Sequence, residues 1–172
     1  MYKELDSTEV MSRFSSWSHM SEVDVQFGVY KEHPDAKMPK VAYNGSSACF
    51  DLFAVEDTVI PAGGSNLIPV GVRLSVPKGW YVEFATRSGH GVKYNLNVFR
   101  GIIDPGYSGP LDVKMYNIGV EDVTIEKGKA AVQCKVHKIP NIDLTEISSE
   151  EFDEYRDNAE RGDKGFGSTD KK

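Results

Sequence analysis

Apolar residues recur at every second position in short runs along most of the chain, which predicts strands. Val23, Val25, Phe27 and Val29 alternate with polar or small residues and predict the first. Ser47–Ala54 predicts a mostly apolar strand carrying one acid, Asp51. Val70, Val72, Leu74 and Val76 alternate until Pro77-Lys78-Gly79, and Tyr81–Ala85 predicts a further strand. Val123–Lys127 is a short run closed by Gly128. In Ala130–Ile139, Val132, Cys134 and Val136 share one face, while Gln133, Lys135 and His137 share the other. His33-Pro34-Asp35, Met38-Pro39 and Pro61-Ala62-Gly63-Gly64 interrupt these runs as turns. Short strands with regularly spaced turn signals, and no long helical segment, predict an all-β fold, a distorted β-barrel or jelly roll with short peripheral helices.

The two ends carry a different pattern. Val10, Phe14 and Trp17 fall on one helical face after the cap candidates Asp6, Ser7 and Thr8, so residues 1–22 read as an appended short helix. After Pro140 the chain becomes polar and acidic, and Ser148-x-x-Glu151 predicts a capping box for a helix through Phe152 and Tyr155. The expected division is an appendage at 1–22, a β-barrel domain at 23–140 and a C-terminal arm at 141–172. A Gly-rich segment, 161–169, lies within the arm.

Three stretches hold residues suited to chemistry. In Gly101–Gly109, Ile102 and Ile103 predict a strand, Asp104 follows, and Pro105-Gly106 is a strong turn signal. Leu111, Val113 and Met115 then alternate with Asp112, Lys114 and Tyr116, so the expectation is a β-hairpin with one carboxylate at its mouth and the Tyr107 phenol beside it. Taken alone, this is a surface turn with a solvated acid. Arg87-Ser88-Gly89 sets a guanidinium fork, a hydroxyl and an exposed amide at the end of a strand, a compact grip for an oxyanion. In 161–169 glycines give freedom, Phe166 offers a stacking face, and Arg161, Ser168 and Thr169 offer phosphate ligands, as in a segment that orders over a ligand.

Composition narrows the classes. A net charge of −6 argues against a surface for duplex nucleic acid, which needs clustered Lys and Arg, and leaves room for a small anion in a local basic pocket. Cys49 and Cys134 lie in apolar runs with no CxxC spacing, and read as buried, reduced thiols. No apolar run is long enough to span a bilayer and the N-terminus shows no signal-peptide pattern, so the expectation is a soluble, intracellular protein.

Five motifs in order resemble the trimeric dUTP pyrophosphatases, the dUTPase family, over about Val23 to Thr169. They are Ala48–Ala54 around Asp51, Arg87–Gly89, Gly101–Gly109, Gly128–Gln133 and Arg161–Thr169. The resemblance implies hydrolysis of dUTP to dUMP and pyrophosphate, with Asp104 as the base that activates water against the α-phosphorus. It implies that backbone groups of Gly101, Ile102, Ile103 and Asp104 read uracil, that Tyr107 packs on the deoxyribose, and that Phe166 with Gly167 covers the base. Arg87, Ser88, Gly89, Gln133, Arg161, Ser168 and Thr169 would hold the triphosphate. Asp51 would support a hydrated Mg²⁺ carried mainly by the phosphates. It further implies a homotrimer with its sites between subunits, a tail that often reaches a neighbour's site, and a cytoplasmic location, that of the host if the chain is viral. Departures from the motifs are Thr86 for Pro, Gly106 for a second acid, Ala130 for Arg (with Lys129 as a substitute), Lys164 for Gly and Asp170 for Gly. A dCTP deaminase-like enzyme and a regulatory dUTP-binding protein on the same fold are the competing readings.

Overall fold

A computed structural model describes residues 24–160 and 162. The chain divides into two compact units, Met1–Ile139 and Pro140–Lys172. The appendage helix expected in 1–22 lies outside the described residues, as does all of the 161–169 segment except Gly162.

The first unit is all-β, a distorted jelly roll. Its strands are β1 (Gly28–Lys31), β2 (Lys40–Val41), β3 (Cys49–Phe53), β4 (Thr58–Ile60), β5 (Ser65–Pro69) and β6 (Val72–Ser75). They are followed by β7 (Trp80–Ala85), β8 (Leu96–Val98), β9 (Ile102–Ile103), β10 (Asp112–Asn117), β11 (Val123–Ile125) and β12 (Ala130–Lys138). A seven-residue helix, α1 (Ser88–Tyr94), stands between β7 and β8. The sheets are small: β2-β3-β12-β7-β9, β5-β10-β8, β1-β6 and β11-β4. Every pairing among the described strands is antiparallel.

Alternation explains which side faces inward. On β10, Val113, Met115 and Asn117 are buried while Asp112 and Tyr116 are exposed. Leu52, Ile60, Ile68, Val82 and Val132 join Val113 and Met115 in one apolar cluster. β12 breaks the alternation at its start, where Ala130, Ala131 and Val132 are buried in succession. A bulge lies there: Ala130 faces Phe53 on β3, yet Val132 faces Leu52.

Three expectations are corrected. The first strand begins at Gly28, and 25–27 precede it as irregular chain. The hairpin is not formed: β9 pairs with β7, while β10 pairs with β5 and β8. Eight residues, 104–111, separate the two strands and include two prolines, Pro105 and Pro110, each lacking the N–H that a ladder needs. Alternation identified the inward face of the second run, Leu111, Val113 and Met115, but carries no information about partners. Cys134 is buried as expected, whereas Cys49 is only half-buried.

In the second unit, α2 (Ser149–Asn158) begins at the predicted capping box. The Ser148 hydroxyl accepts from the Glu151 amide at 3.2 Å, and the Ser148 amide donates to the Glu151 carboxylate at 2.8 Å.

Asn117 is the polar exception in the core at 1% exposure. Its amide nitrogen donates to the Ile60 and Glu121 carbonyls at 3.0 and 2.8 Å, and its oxygen accepts from the Gly119 amide at 2.9 Å. Replacing it strands buried backbone groups. Asn117→Ala is expected to lower unfolding free energy by about 1–3 kcal/mol in urea titrations.

Candidate active site

Three motifs converge on one end of the five-stranded sheet. Gln133 on β12 stands opposite Asp51 on β3 and Ala85 on β7. Its side-chain amide donates to the Thr86 carbonyl at 2.9 Å, which holds the end of β7 in place. The Arg87 guanidinium Nε lies 3.3 Å from the Asp51 carboxylate, both groups being half-buried. The acid therefore orients the fork that follows β7. Ser88 and Gly89 open α1, and no side chain caps their amides. A Cβ added at Gly89 would meet nothing within 4 Å, so its backbone stands open to an approaching group. A cavity of about 680 Å³ adjoins, lined by Arg87, Gly89, His90, Lys93, Lys129 and Glu126 among others. Guanidinium, amides and amines in one place can hold a multiply charged anion.

Thr86, which stands where the family pattern has Pro, has a definite role. Its hydroxyl accepts from the Val98 amide at 2.9 Å and donates to the Asn97 side chain at 3.1 Å, tying the end of β7 to β8. Proline could make neither contact. His90 is buried, and its Nδ1 has no hydrogen-bond partner among the described residues. Burial, then the Arg87 charge, pushes its pKa below the ordinary value of 6.5.

The other motif forms a second centre. Asp104 is exposed, and its carbonyl accepts from the Tyr107 amide at 3.2 Å. Gly106, at φ 83°, supplies the left-handed position that a turn with Pro105 ahead of it requires. The Tyr107 hydroxyl donates to the Pro110 carbonyl at 3.1 Å. That ring lies over Gly109, where a Cβ would come within 2.4 Å of the hydroxyl. Where β9 and β10 diverge, a cleft of about 180 Å³ opens, lined by Gly101, Ile102, Ile103, Tyr107 and Leu111 with Phe84. The failed hairpin thus leaves a slot, with Asp104 the next residue after its floor.

Sequence reasoning missed the support beneath this second centre. Glu83 is 8% exposed, and Arg100, next to Gly101, donates to its carboxylate through Nε at 2.6 Å. Burial raises the Glu83 pKa, but Arg100, Lys135 and His137 outweigh it and hold the carboxyl below its ordinary value. An acid inside an apolar run was the available signal.

The two centres are well apart in one chain. Ile103 faces Val82, which sets Asp104 level with Tyr81, six residues before Arg87 along β7. At strand rise this is roughly 20 Å. Asp51, Arg87, Ser88, Gly89 and Gln133 are brought together, as are Gly101, Ile102, Ile103, Asp104 and Tyr107, but the groups do not meet. Arg161, Phe166, Gly167, Ser168 and Thr169 lie outside the described residues.

The dUTPase family profile matches residues 34–170. The chain belongs to the dUTPase family. A deoxyuridine 5'-triphosphate nucleotidohydrolase of Candida albicans is 38% identical over 143 residues, covering 83% of this chain and 87% of that one. One from Paramecium bursaria Chlorella virus 1 is 37% identical over 123 residues, 72% of this chain and 83% of that one. Among solved structures, the dUTPase of Staphylococcus bacteriophage 80alpha with dUPNHPP superposes with a TM-score of 0.70 at 26% identity, covering 83% of this chain and 97% of that one. The family assignment agrees with the jelly-roll topology.

His90 gives a pH signature to this dUTPase-family chain. A histidine whose pKa is depressed on folding takes up a proton on unfolding, so stability is greatest above 6.5 and falls as pH drops toward the lowered folded value. His90→Gln is expected to shrink the loss of stability between about pH 7.5 and about pH 5.5, read from urea midpoints.

Proposed function

We propose that this chain hydrolyses dUTP to dUMP and pyrophosphate. The reading is supported most by one pairing: an anion grip just past the C-terminal end of β7, and beside the middle of the strand a narrow slot from which Asp104 follows. Asp104 takes a proton from water as the water oxygen bonds to the α-phosphorus. The bond from that phosphorus to the bridging oxygen breaks, and the electron pair leaves with pyrophosphate. Backbone groups of Gly101–Asp104 read the uracil edge, as strand backbone offers the donors and acceptors a pyrimidine partner would. Tyr107 packs on the deoxyribose and leaves no space for a 2′-hydroxyl. Arg87, Ser88, Gly89 and Gln133 hold the phosphates, which must be neutralised before an oxygen nucleophile can approach.

The donor set suits a hydrated Mg²⁺ carried by the nucleotide. Among the described residues no group of three His, Cys, Asp or Glu could cage a metal, and Asp51 is a single carboxylate beside the grip. Mg²⁺ keeps several waters and binds through one or two carboxylates plus substrate phosphates. When bound, it would offset phosphate charge.

A spacing of roughly 20 Å along β7 is too long for one nucleotide's phosphates to bridge from Asp104. We therefore read the working site as assembled between subunits of a homotrimer, the slot of one chain facing the grip of another. The segment with Arg161, Phe166, Gly167, Ser168 and Thr169 would close over base and phosphates and exclude water. Two free cysteines fit an intracellular location. No helix of the described residues is long and apolar enough to cross a membrane.

Pyrophosphate release across dUTP, dTTP, dCTP and UTP, with and without Mg²⁺, tests the reading. dUTP should be strongly preferred, and ammonia from dCTP would replace this activity with deamination. Asp104→Asn is expected to slow release by about 100- to 10,000-fold while calorimetric dUTP affinity changes little. Wild-type turnover by that variant would remove Asp104 as the base. Deleting residues 161–172 should cut turnover severely at an unchanged melting temperature.

A further inference from the structure

The geometry points to Arg73 as a positioning residue that holds the Asp104–Gly109 turn in its working place, an inference that rests on the role proposed for Asp104. The bonds that Tyr107 makes to Asp104 and Pro110 stay within the turn, and among the described residues no hydrogen bond ties 104–107 to a neighbouring strand. The turn's N-terminal strand, β9, is two residues long, and Asp104 is exposed. On the β1–β6 side it overhangs an open groove of about 480 Å³, bordered by Tyr30, Leu74 and Val76 and reached by Gly106, Tyr107 and Ser108. On its other side lies the slot between β9 and β10. Tyr107 lines both spaces, so packing alone does not stop the turn from moving toward either.

Arg73 spans the groove as a two-point strut. Its Nη1 donates to the Ser108 carbonyl at 2.9 Å, and its Nε donates to the Glu32 carboxylate at 2.6 Å. Glu32 is itself fixed, because its amide donates to the carbonyl of Gly71, the residue just before β6, at 3.0 Å. A planar guanidinium can serve both acceptors at once in a set geometry; an ammonium has no such fork. Below the strut, the Leu111 amide reaches the Val72 carbonyl at 3.3 Å, a long contact at the far end of the turn. Arg73 therefore sets the distance from β6 to the part of the turn that bears Tyr107 and follows Asp104. The slot floor, Ile102 and Ile103, is held separately by its ladder to β7.

This division predicts a split phenotype. Arg73→Ala should lower kcat for dUTP by about 10- to 100-fold, since small misplacement of a reacting group costs that much. KM should change no more than a few-fold, because the base-reading backbone stays in its ladder. Preference for dUTP over UTP should weaken as well, because Tyr107 moves with the turn. Arg73→Lys should not restore kcat, while Glu32→Gln, which keeps an acceptor for Nε, should remain near wild type. Hydrogen–deuterium exchange over 105–111 should quicken in Arg73→Ala without any nucleotide present. Wild-type kcat and sugar preference in Arg73→Ala, or full recovery with Arg73→Lys, would overturn the strut. So would exchange over 105–111 that stays at the wild-type rate. If Arg73→Ala does not fold, the lysine variant decides alone through the same three readouts. Fast exchange in the variant beside a wild-type chain that never cleaves dUTP would leave the strut standing and remove the proposed activity instead.

Discussion

One inserted residue in β12 decides which side chain meets Asp51. From the pairing of Ala130 with Phe53, an uninterrupted ladder would bring Val132 opposite Asp51; the bulge moves the register by one and brings Gln133 there instead. Because side chains alternate, a slip of one residue exchanges the faces of everything that follows. The same strand pairs on its other edge with β7, setting Gln133 against Ala85. Both ladders must hold for Asp51, Gln133 and Arg87 to share a corner. β12, paired with β3 over Ala130–Lys135 and with β7 over Gln133–Lys138, forms the ruler against which the grip is measured.

β7 carries the second constraint. Its middle residues, Val82 and Glu83, anchor β9 and, through Glu83, the Arg100 side chain; its C-terminal end leads to Thr86, Arg87 and the first turn of α1. A rigid six-residue strand keeps the two centres apart as firmly as it supports them. The polar contacts along and just beyond it do different work. Thr86 fastens the strand terminus to its neighbour, while Glu83 holds the Arg100 guanidinium beneath the slot.

Much of this was legible from local pattern, and the gaps have physical causes. The alternation in β10 and β12, the turn at Pro105-Gly106 and the box at Ser148 and Glu151 are short-range effects, so the residues themselves declare them. Partner choice is long-range, which is why Ile102 and Ile103 were matched to the wrong strand. The seven-residue helix after Arg87 holds two glycines and a β-branched valine, and its propensity gives it away poorly. Arg87 was marked by the serine and glycine that follow it at a strand end, whereas Gln133 stood out only as a member of an ordered motif set, since a lone glutamine on a polar face has no signature. The contact of Arg87 with Asp51 depended on the bulge, visible only as three small apolar residues in a row.

The phenol of Tyr107 rests where any side chain at position 109 would have to go. A larger residue at 109 would oblige that ring to swing away and give up its bond to the Pro110 carbonyl, so what position 109 tolerates is set by where the phenol can go.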